Sequence, residues 1–400
     1  MANTLKFGNG NWATKEDSVL AYNDENNNFK PLPFDFTRAS TATYVDSDGL
    51  IKTARNGEAR VDYTDSTDGA LLLEPARTNL VNYSKDFSSW TQADTSTVSI
   101  ADSFDGSNNA YRVSITSASS FQTIRKTGLS VSNTQTFTIY AKKDTLNFIR
   151  ILFGGFGNFW VDLENGTQGT TTGSFDDITI TSVGNGFFKI VATFTPTSAV
   201  THVYLYPSVG DGNANQTSGS VIFQYAQLEV GSYATSYIPT SGSTVTRVAE
   251  SCSQTPTTGI IGQTEGVLYV DFIFKGVPNG TSSMPISLDG TGSNEAYIYI
   301  NNTNIRGQFV VAGSFTCNIN GGTLVVGNRY KVAFSYKAND FALCINGVLV
   351  GIDDNGAVGS NQNVVLGNYL NQGYPHDNIT ESKLYNTRLT NAELATLTTI

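Results

Sequence analysis

The feature that most constrains this chain is how it is punctuated. Eight Asn-Gly pairs, at 9, 56, 165, 185, 279, 320, 346 and 355, and five Asp-Gly pairs, at 48, 68, 105, 211 and 289, recur along its 400 residues. Such pairs accept positive φ at little cost and favour tight hairpin turns. Between them lie short stretches whose apolar residues alternate with polar ones, the period of a half-buried strand. In Val267–Phe274 one face holds Leu268, Val270, Phe272 and Phe274, while Asp271 lies on the other. In Lys331–Ala338 the inward set is Val332, Phe334 and Tyr336. In Phe187–Thr195 it is Phe188, Ile190, Ala192 and Phe194, with Lys189 opposite, and in Thr136–Lys142 it is Phe137, Ile139 and Ala141. Sheets buried on one face fit antiparallel sandwiches rather than parallel α/β sheets. The expected fold class is therefore all-β, with at least a dozen strands. A single short helix is expected at the end, where Thr390-Asn391-Ala392-Glu393 fits a capping box and Leu394 and Leu397 share a face.

Composition removes several functions. Lys+Arg is 24 against Asp+Glu 34, a net charge of −10, and there is no basic block. A chain of this charge lacks the electrostatic footprint of a nucleic-acid binder. Three Cys without C-x-x-C spacing exclude a disulfide scaffold and zinc-ribbon or thioredoxin-like motifs, and two His, at 202 and 376, cannot supply a three-His metal site. No apolar run is long enough to span a membrane as a helix. The N-terminal Met1–Gly8 has no apolar core of a signal peptide. A particle released by lysis would combine this Gly- and Asn-rich, charge-poor composition with no export signal, as would a cytoplasmic protein.

Residues 34–90 carry an ordered set of pieces: Thr37-Arg38-Ala39-Ser40-Thr41-Ala42-Thr43, Asp48-Gly49-Leu50-Ile51, Arg60-Val61-Asp62-Tyr63, Leu72-Leu73-Glu74, Arg77-Thr78-Asn79-Leu80, Ser84-Lys85-Asp86-Phe87 and Trp90. This run resembles a segment widespread in tailed-bacteriophage virion proteins of tail-fibre and head-fibre type. Residues 83–240, through Gly186-Phe187-Phe188-Lys189-Ile190, Gln227-Leu228-Glu229-Val230-Gly231 and Tyr233–Thr240, look like a carbohydrate-binding-module-like jelly roll. Residues 265–400, through Tyr330–Tyr336, Leu343-Cys344-Ile345-Asn346-Gly347 and Leu384–Thr390, look like a concanavalin A-like, laminin G-like sandwich. The resemblance implies an N-terminal arm over 1–36 and an extended attachment segment over 37–82. A jelly roll over 83–245 and a second sandwich over 246–400 follow, with Thr240-Ser241-Gly242-Ser243-Thr244 reading as a linker. It further implies a virion component, exposed on the particle surface after assembly in the host cytoplasm. The N-terminal region would dock on other virion proteins. The sandwiches would project towards a host-surface glycan or serve as architectural decoration. A homo-oligomer is expected, a trimer by analogy with fibres.

Enzymatic alternatives find little footing in the residues. A polysaccharide depolymerase needs two carboxylates flanking the scissile bond, and no E-x-D-x-x-E is present. Asp162 with Glu164, and Asp353 with Asp354, lie beside Asn-Gly turns, where acids serve the turn. His202 and His376 have no Gly-x-Ser-x-Gly partner. No cofactor is expected. Asp46-Ser47-Asp48-Gly49 and Asp353-Asp354-Asn355-Gly356 offer oxygen ligands suited to calcium, but neither completes a D-x-D-x-D-G loop, and both read better as turns. Sugar binding is the favoured activity, because a sugar pairs one apolar face with many hydroxyls and so needs aromatic rings beside short polar groups. Two stretches qualify: Phe156 and Trp160 among glycines, and Tyr369, Asn371, Tyr374, His376 and Asp377 in a polar loop. Cys317 and Cys344 are a conceivable pair.

Overall fold

The computed structural model describes residues 5–23, 30–118, 121–213, 217–255, 259–277, 282–289, 293–367 and 377–400. The chain is all-β, with multiple antiparallel sheets and one α-helix, Asn391–Leu397, among the described residues. It divides into two compact units: residues 1–48, 52–76 and 248–400 form one, and 49–51 with 77–247 form the other.

The 77–247 unit is a sandwich of two six-stranded antiparallel sheets. The first runs, in spatial order, Thr91–Ala93, Thr123–Val131, Val200–Ser208, Phe148–Phe153, Gly157–Asp162, Thr167–Thr172. The second runs Thr95–Ile100, Ala110–Ile115, Ser220–Val230, Gln135–Lys143, Phe187–Phe194, Phe175–Gly184. Register aligns the alternating residues: Phe137 faces Ala192, Ile139 faces Ile190 and Ala141 faces Phe188. From the other sheet, Ile124, Ile149, Ile151, Phe153, Phe159, Val161, Val203 and Leu205 meet them in one core. Full burial of each large apolar side chain contributes about 1.5–3 kcal/mol, so this layer outweighs any single polar contact.

The other unit is built from both ends of the chain. Leu5–Gly8 pairs antiparallel with Asp377–Tyr385, Leu5 opposite Leu384. Ser18–Asn23 pairs with Lys30–Thr37, which pairs in turn with Ser251–Gln254, Phe36 opposite Cys252. Ala70–Leu73 lies along Asp377–Tyr385 with Leu71 opposite Ile379. Leu5, Phe7, Val19, Phe34, Phe36, Leu71 and Leu73 share one core with Leu268, Val270, Phe272, Val332, Phe334 and Tyr336. The expected N-terminal arm and extended attachment segment are corrected to that extent: Ala42–Val45 and Ile51–Ala54 form a two-stranded sheet of their own, while Leu5–Gly8, Ser18–Asn23 and Lys30–Thr37 of the one, and Val61–Asp62 and Ala70–Leu73 of the other, are strands of the C-terminal sandwich. Their apolar residues stay exposed unless another part of the chain covers them, and that cover comes from residues some hundreds of positions away.

Of the expected linker, residues 241–244 are exposed and outside any strand or helix, and its first residue is anchored. Thr240 is buried, its hydroxyl donating to the Val81 carbonyl and accepting from the Ser84 amide at 2.8 Å. Val245–Arg247 then pairs with Arg77–Asn79, Arg247 opposite Arg77, so the first and last strands of the inserted unit lie side by side. The turn expectation is met at Asn9-Gly10, Asn185-Gly186 and Asn346-Gly347, where both residues have positive φ. It is not met at Asn320-Gly321, which lies inside the strand Ser314–Thr323. There a Cβ on Gly321 would meet Ile345 Cδ1 at 2.7 Å, so packing demands that glycine and no turn does.

Candidate functional site

The first sheet of the 77–247 unit has one face on the core and one face away from it. Alternation fixes which residues go where. Because Val203 and Leu205 point into the core, His202, Tyr204 and Tyr206 point outward. Ile149 and Ile151 do the same for Arg150 and Leu152, and Phe159 and Val161 for Asn158 and Trp160. Register then sets neighbours: Arg125 lies opposite Tyr204, and Arg150 lies between Tyr206 and Trp160.

The outcome is a ladder in which rings and guanidiniums alternate across the sheet. His202 and Tyr204 stack with centroids 5.5 Å apart, and Tyr204 and Tyr206 with centroids 6.2 Å apart. Phe121, 41% exposed, meets both tyrosines edge-on at 5.8 and 6.0 Å. The Arg125 guanidinium sits 5.9 Å from the ring centres of Phe121 and Tyr204. The Arg150 guanidinium sits 5.3 Å from Tyr206 and 5.6 Å from Trp160. Each such contact contributes about 0.5–1 kcal/mol at an exposed site, and together they hold the rings and cations in a fixed order.

Polar groups edge the ladder. Arg150 Nε donates to Asn158 Oδ1 at 3.0 Å, and the Asn158 amide donates to the Thr172 hydroxyl. Asp211 accepts from the Thr170 amide and hydroxyl at 2.8–3.0 Å. It reaches them because position 169 is glycine; a Cβ there would meet Asp211 Oδ1 at 2.6 Å and Trp160 Cβ at 3.1 Å. Burial pushes the Tyr206 hydroxyl above its ordinary pKa, and the charges of Arg150 and Arg125 work against that rise. Phe121 is exposed, Tyr204 and His202 are half-buried, and Tyr206 and Trp160 are buried, so the face offers the rings of Phe121 and Tyr204, guanidinium donors, an amide and an imidazole over a buried aromatic floor. That set matches the apolar face and hydroxyl edges of a sugar.

Of the residues singled out from sequence, Trp160 lies in the ladder, 5% exposed beneath Arg150. Phe156 does not. Its ring stacks on Phe194 at 4.7 Å and meets Phe175 edge-on at 5.1 Å, packed against the core, so its expected role as a presented sugar platform is corrected. Asp377 opens the strand Asp377–Tyr385. Tyr369, Asn371, Tyr374 and His376 lie outside the described residues. The stretch His202-Val203-Tyr204-Leu205-Tyr206 held the missed signal: its alternation puts three rings on one face. Phe121, Arg125 and Arg150 become neighbours of that stretch only through register.

The acids considered for catalysis or calcium serve their own turns. Asp162 Oδ1 accepts from the Glu164 amide at 2.8 Å, Glu164 pairs with Lys143, Asp353 accepts from the Asn355 amide, and Asp46 accepts from the Asp48 amide. Among the described residues no group of three or more His, Cys, Asp or Glu is placed to hold a metal ion. All three cysteines are free and buried, with Cys317 in the main core and Cys344 in a separate cluster beside the helix.

No family model matches this chain, and no curated protein matches it by sequence. Solved structures similar to it are β-sandwich proteins. They include the CBM40 domain of Ruminococcus gnavus IT-sialidase bound to α2,3-sialyllactose, 18% identical, covering 35% of this chain and 84% of that one at a TM-score of 0.30. Domains LG4-5 of mouse laminin α1 are 9% identical, covering 68% and 88% at a TM-score of 0.27. Trypanosoma rangeli sialidase in complex with sialic acid is 11% identical, covering 97% and 66% at a TM-score of 0.30. At these identities and scores the likeness carries no inference about ligand or activity.

Proposed function

We propose that this protein is a non-enzymatic surface component of a tailed-phage particle, and that it holds host-surface glycans on the outer face of the first sheet of its 77–247 unit. The observation that carries the glycan reading is the ladder of Phe121, Tyr204, Tyr206 and Trp160 interleaved with Arg125 and Arg150, on the sheet face opposite the core. Phe121, 41% exposed, and the half-buried Tyr204 present their rings to solvent, while Tyr206 and Trp160 lie beneath them and Arg150. The phage setting rests on the sequence resemblance of residues 34–90. Single sites of this kind are weak, and copies held together gain effective concentration, so a homo-oligomer belongs to the same reading.

The test is binding of the full chain to a glycan array and to intact bacteria. Tyr204→Ala and Phe121→Ala are each expected to weaken binding by about two- to ten-fold, since an aromatic contact of this kind contributes about 0.5–1.5 kcal/mol beyond its buried area. The melting temperature should change little. Undiminished binding by both folded variants would reject this face as the site.

A second reading, architectural decoration, draws on the other unit. The strand Val348–Asp353 pairs with Phe341–Ile345 and leaves Val348, Leu349 and Ile352 exposed, a row that fits contact with another protein surface. Labelling the chain on intact particles separates decoration from adhesion.

A further inference from the structure

We infer that the ligand held by this sheet face is an acidic glycan, one that carries carboxylate, sulfate or phosphate groups. The inference rests on the glycan reading of the same surface and adds to it the charge class. Its basis is the state of two arginines. Several arginines elsewhere in this acidic chain find carboxylates: Arg38 and Arg60 pair with Glu250, Arg112 with Asp144, Arg329 with Asp271 and Arg388 with Asp340, whereas Arg306 donates its Nε to Asn304. Among the described residues Arg125 and Arg150 pair with none. Arg125 is held between the rings of Phe121 and Tyr204, and its Nε is buried without a hydrogen-bond partner. Arg150 donates its Nε to a neutral amide and stacks on Tyr206 and Trp160. The acids at the edge of the face are committed, Asp211 to Thr170 and Asp162 to its own turn.

Two guanidiniums with fixed planes and no counter-charge are built to receive anions. Arginine meets carboxylate, sulfate and phosphate oxygens with paired parallel donors, and such charge-assisted bonds are about twice as strong as neutral ones. The stacking rings have already removed much of the rotamer freedom that binding would otherwise cost. Arg125 and Arg150 lie on the strands flanking the Tyr204–Tyr206 strand, opposite Tyr204 and Tyr206 respectively, so two strand spacings across and two residues along put their backbones about 12 Å apart, and two acidic groups of one oligosaccharide can be met together. Rings and arginines also suit single-stranded nucleic acid. A net charge of −10, with two arginines on the face among the described residues, weighs against a polyanion bearing a phosphate at every residue.

The experiment is titration calorimetry of the full chain against matched acidic and neutral probes. The pairs are sialyllactose and lactose, oligogalacturonate and its methyl ester, a sulfated chondroitin oligomer and its desulfated form, and a phosphorylated mannose oligomer and its dephosphorylated form. An oligothymidylate is the nucleic-acid arm. The expected result is that at least one acidic probe binds about ten-fold or more tighter than its neutral partner, the scale of one charge-assisted contact, and that this preference shrinks with added salt. Arg125→Gln with Arg150→Gln should bring the acidic-to-neutral ratio to about one, and the double Lys variant should keep part of it. If the double Gln variant loses its cooperative melt, Arg125→Gln alone, at the exposed end of the ladder, supplies the comparison. Equal binding of acidic and neutral partners by the wild-type chain overturns this inference and leaves the glycan reading standing. Binding of no probe overturns both. A preference that survives in a folded Gln variant, or oligothymidylate binding tighter than every glycan, also overturns it.

Discussion

At the residue scale, the ordered pieces of residues 34–90 carry several buried polar anchors. Arg60 and Glu250 are 0% and 1% exposed. Glu250 accepts from Arg60 Nε at 2.9 Å and pairs with Arg38 at 2.7 Å, while Arg60 also reaches Glu74 at 2.9 Å and the Thr43 carbonyl at 2.7 Å. In the inserted unit, Asn79 donates to the carbonyls of Ala226 and Ile238 and accepts from the amides of Val81 and Leu228, satisfying both ends of its side chain. Glu229 accepts from the Thr235 amide and hydroxyl and from Gln227. A fixed spacing of such residues reads from sequence as a signature, and physically it is a lattice that locks distant strands together. Glu250→Gln removes the charge that two buried arginines face, and it should cost about 3–5 kcal/mol, because breaking a buried pair leaves uncompensated charge. Denaturant unfolding measures that loss. Acid tests the same scale. The hydrogen bond from Lys142 holds Asp102 below the usual carboxylate range. Partial burial pushes Asp86 and Asp144 up, and hydrogen bonds from Ser88, Ser89 and Tyr111, or from Ser220 and Arg112, outweigh it and lower both. A depressed folded pKa gives stability that is present above the unfolded value of about 3.9 and lost as pH falls through the folded one. Glu229, pushed up by burial, acts in the opposite sense, its contribution being lost as pH rises through its raised value. Melting of the inserted unit should therefore fall with pH below about 4. Asp102→Asn should flatten that fall, and a scan with an unchanged acid limb would refute the assignment.

At the element scale, alternation was the reliable guide. Every strand face named from sequence points where its pattern placed it: Leu268, Val270 and Phe272 inward with Asp271 on the other side, and Val332, Phe334 and Tyr336 in the same core. The terminal helix was legible because its cap is written in adjacent residues. The Thr390 hydroxyl accepts from the Glu393 amide, the Glu393 carboxylate accepts from the Thr390 amide at 2.8 Å, and Leu394 is buried. Thr390→Ala should cost about 1 kcal/mol, seen as a lower denaturant midpoint with an unchanged slope. Asn-Gly pairs were a coarser guide. The same two letters make a hairpin at 346–347 and a strand interior at 320–321, and only the contact of Gly321 with Ile345 and Ile305 tells them apart. The candidate site was half legible for a related reason. His202, Tyr204 and Tyr206 share a face by period alone, whereas Arg125 and Arg150 join them through the register of separate strands.

At the scale of the whole molecule, one sandwich is inserted into the sequence of the other. The paired strands Arg77–Asn79 and Val245–Arg247 close the inserted unit on itself. A fragment of residues 77–247 should therefore unfold cooperatively and keep the aromatic ladder. Residues 248–400 alone lack the strands Leu5–Gly8, Lys30–Thr37 and Ala70–Leu73 that complete their core. Calorimetry of the two fragments checks this, and a cooperative melt for 248–400 alone would show that the N-terminal strands are dispensable.

What the amino-acid order determined by itself is local: strand faces, hairpin turns and a capped helix, all set by side chains within a few positions of one another. What only the tertiary structure decided is partnership across the chain. Leu5–Gly8, Ser18–Asn23, Lys30–Thr37 and Ala70–Leu73 became strands of the C-terminal sandwich, and two arginines came to lie among rings from other strands. Pairing between remote segments leaves no periodic trace, because each strand buries the same kind of face whichever neighbour covers it.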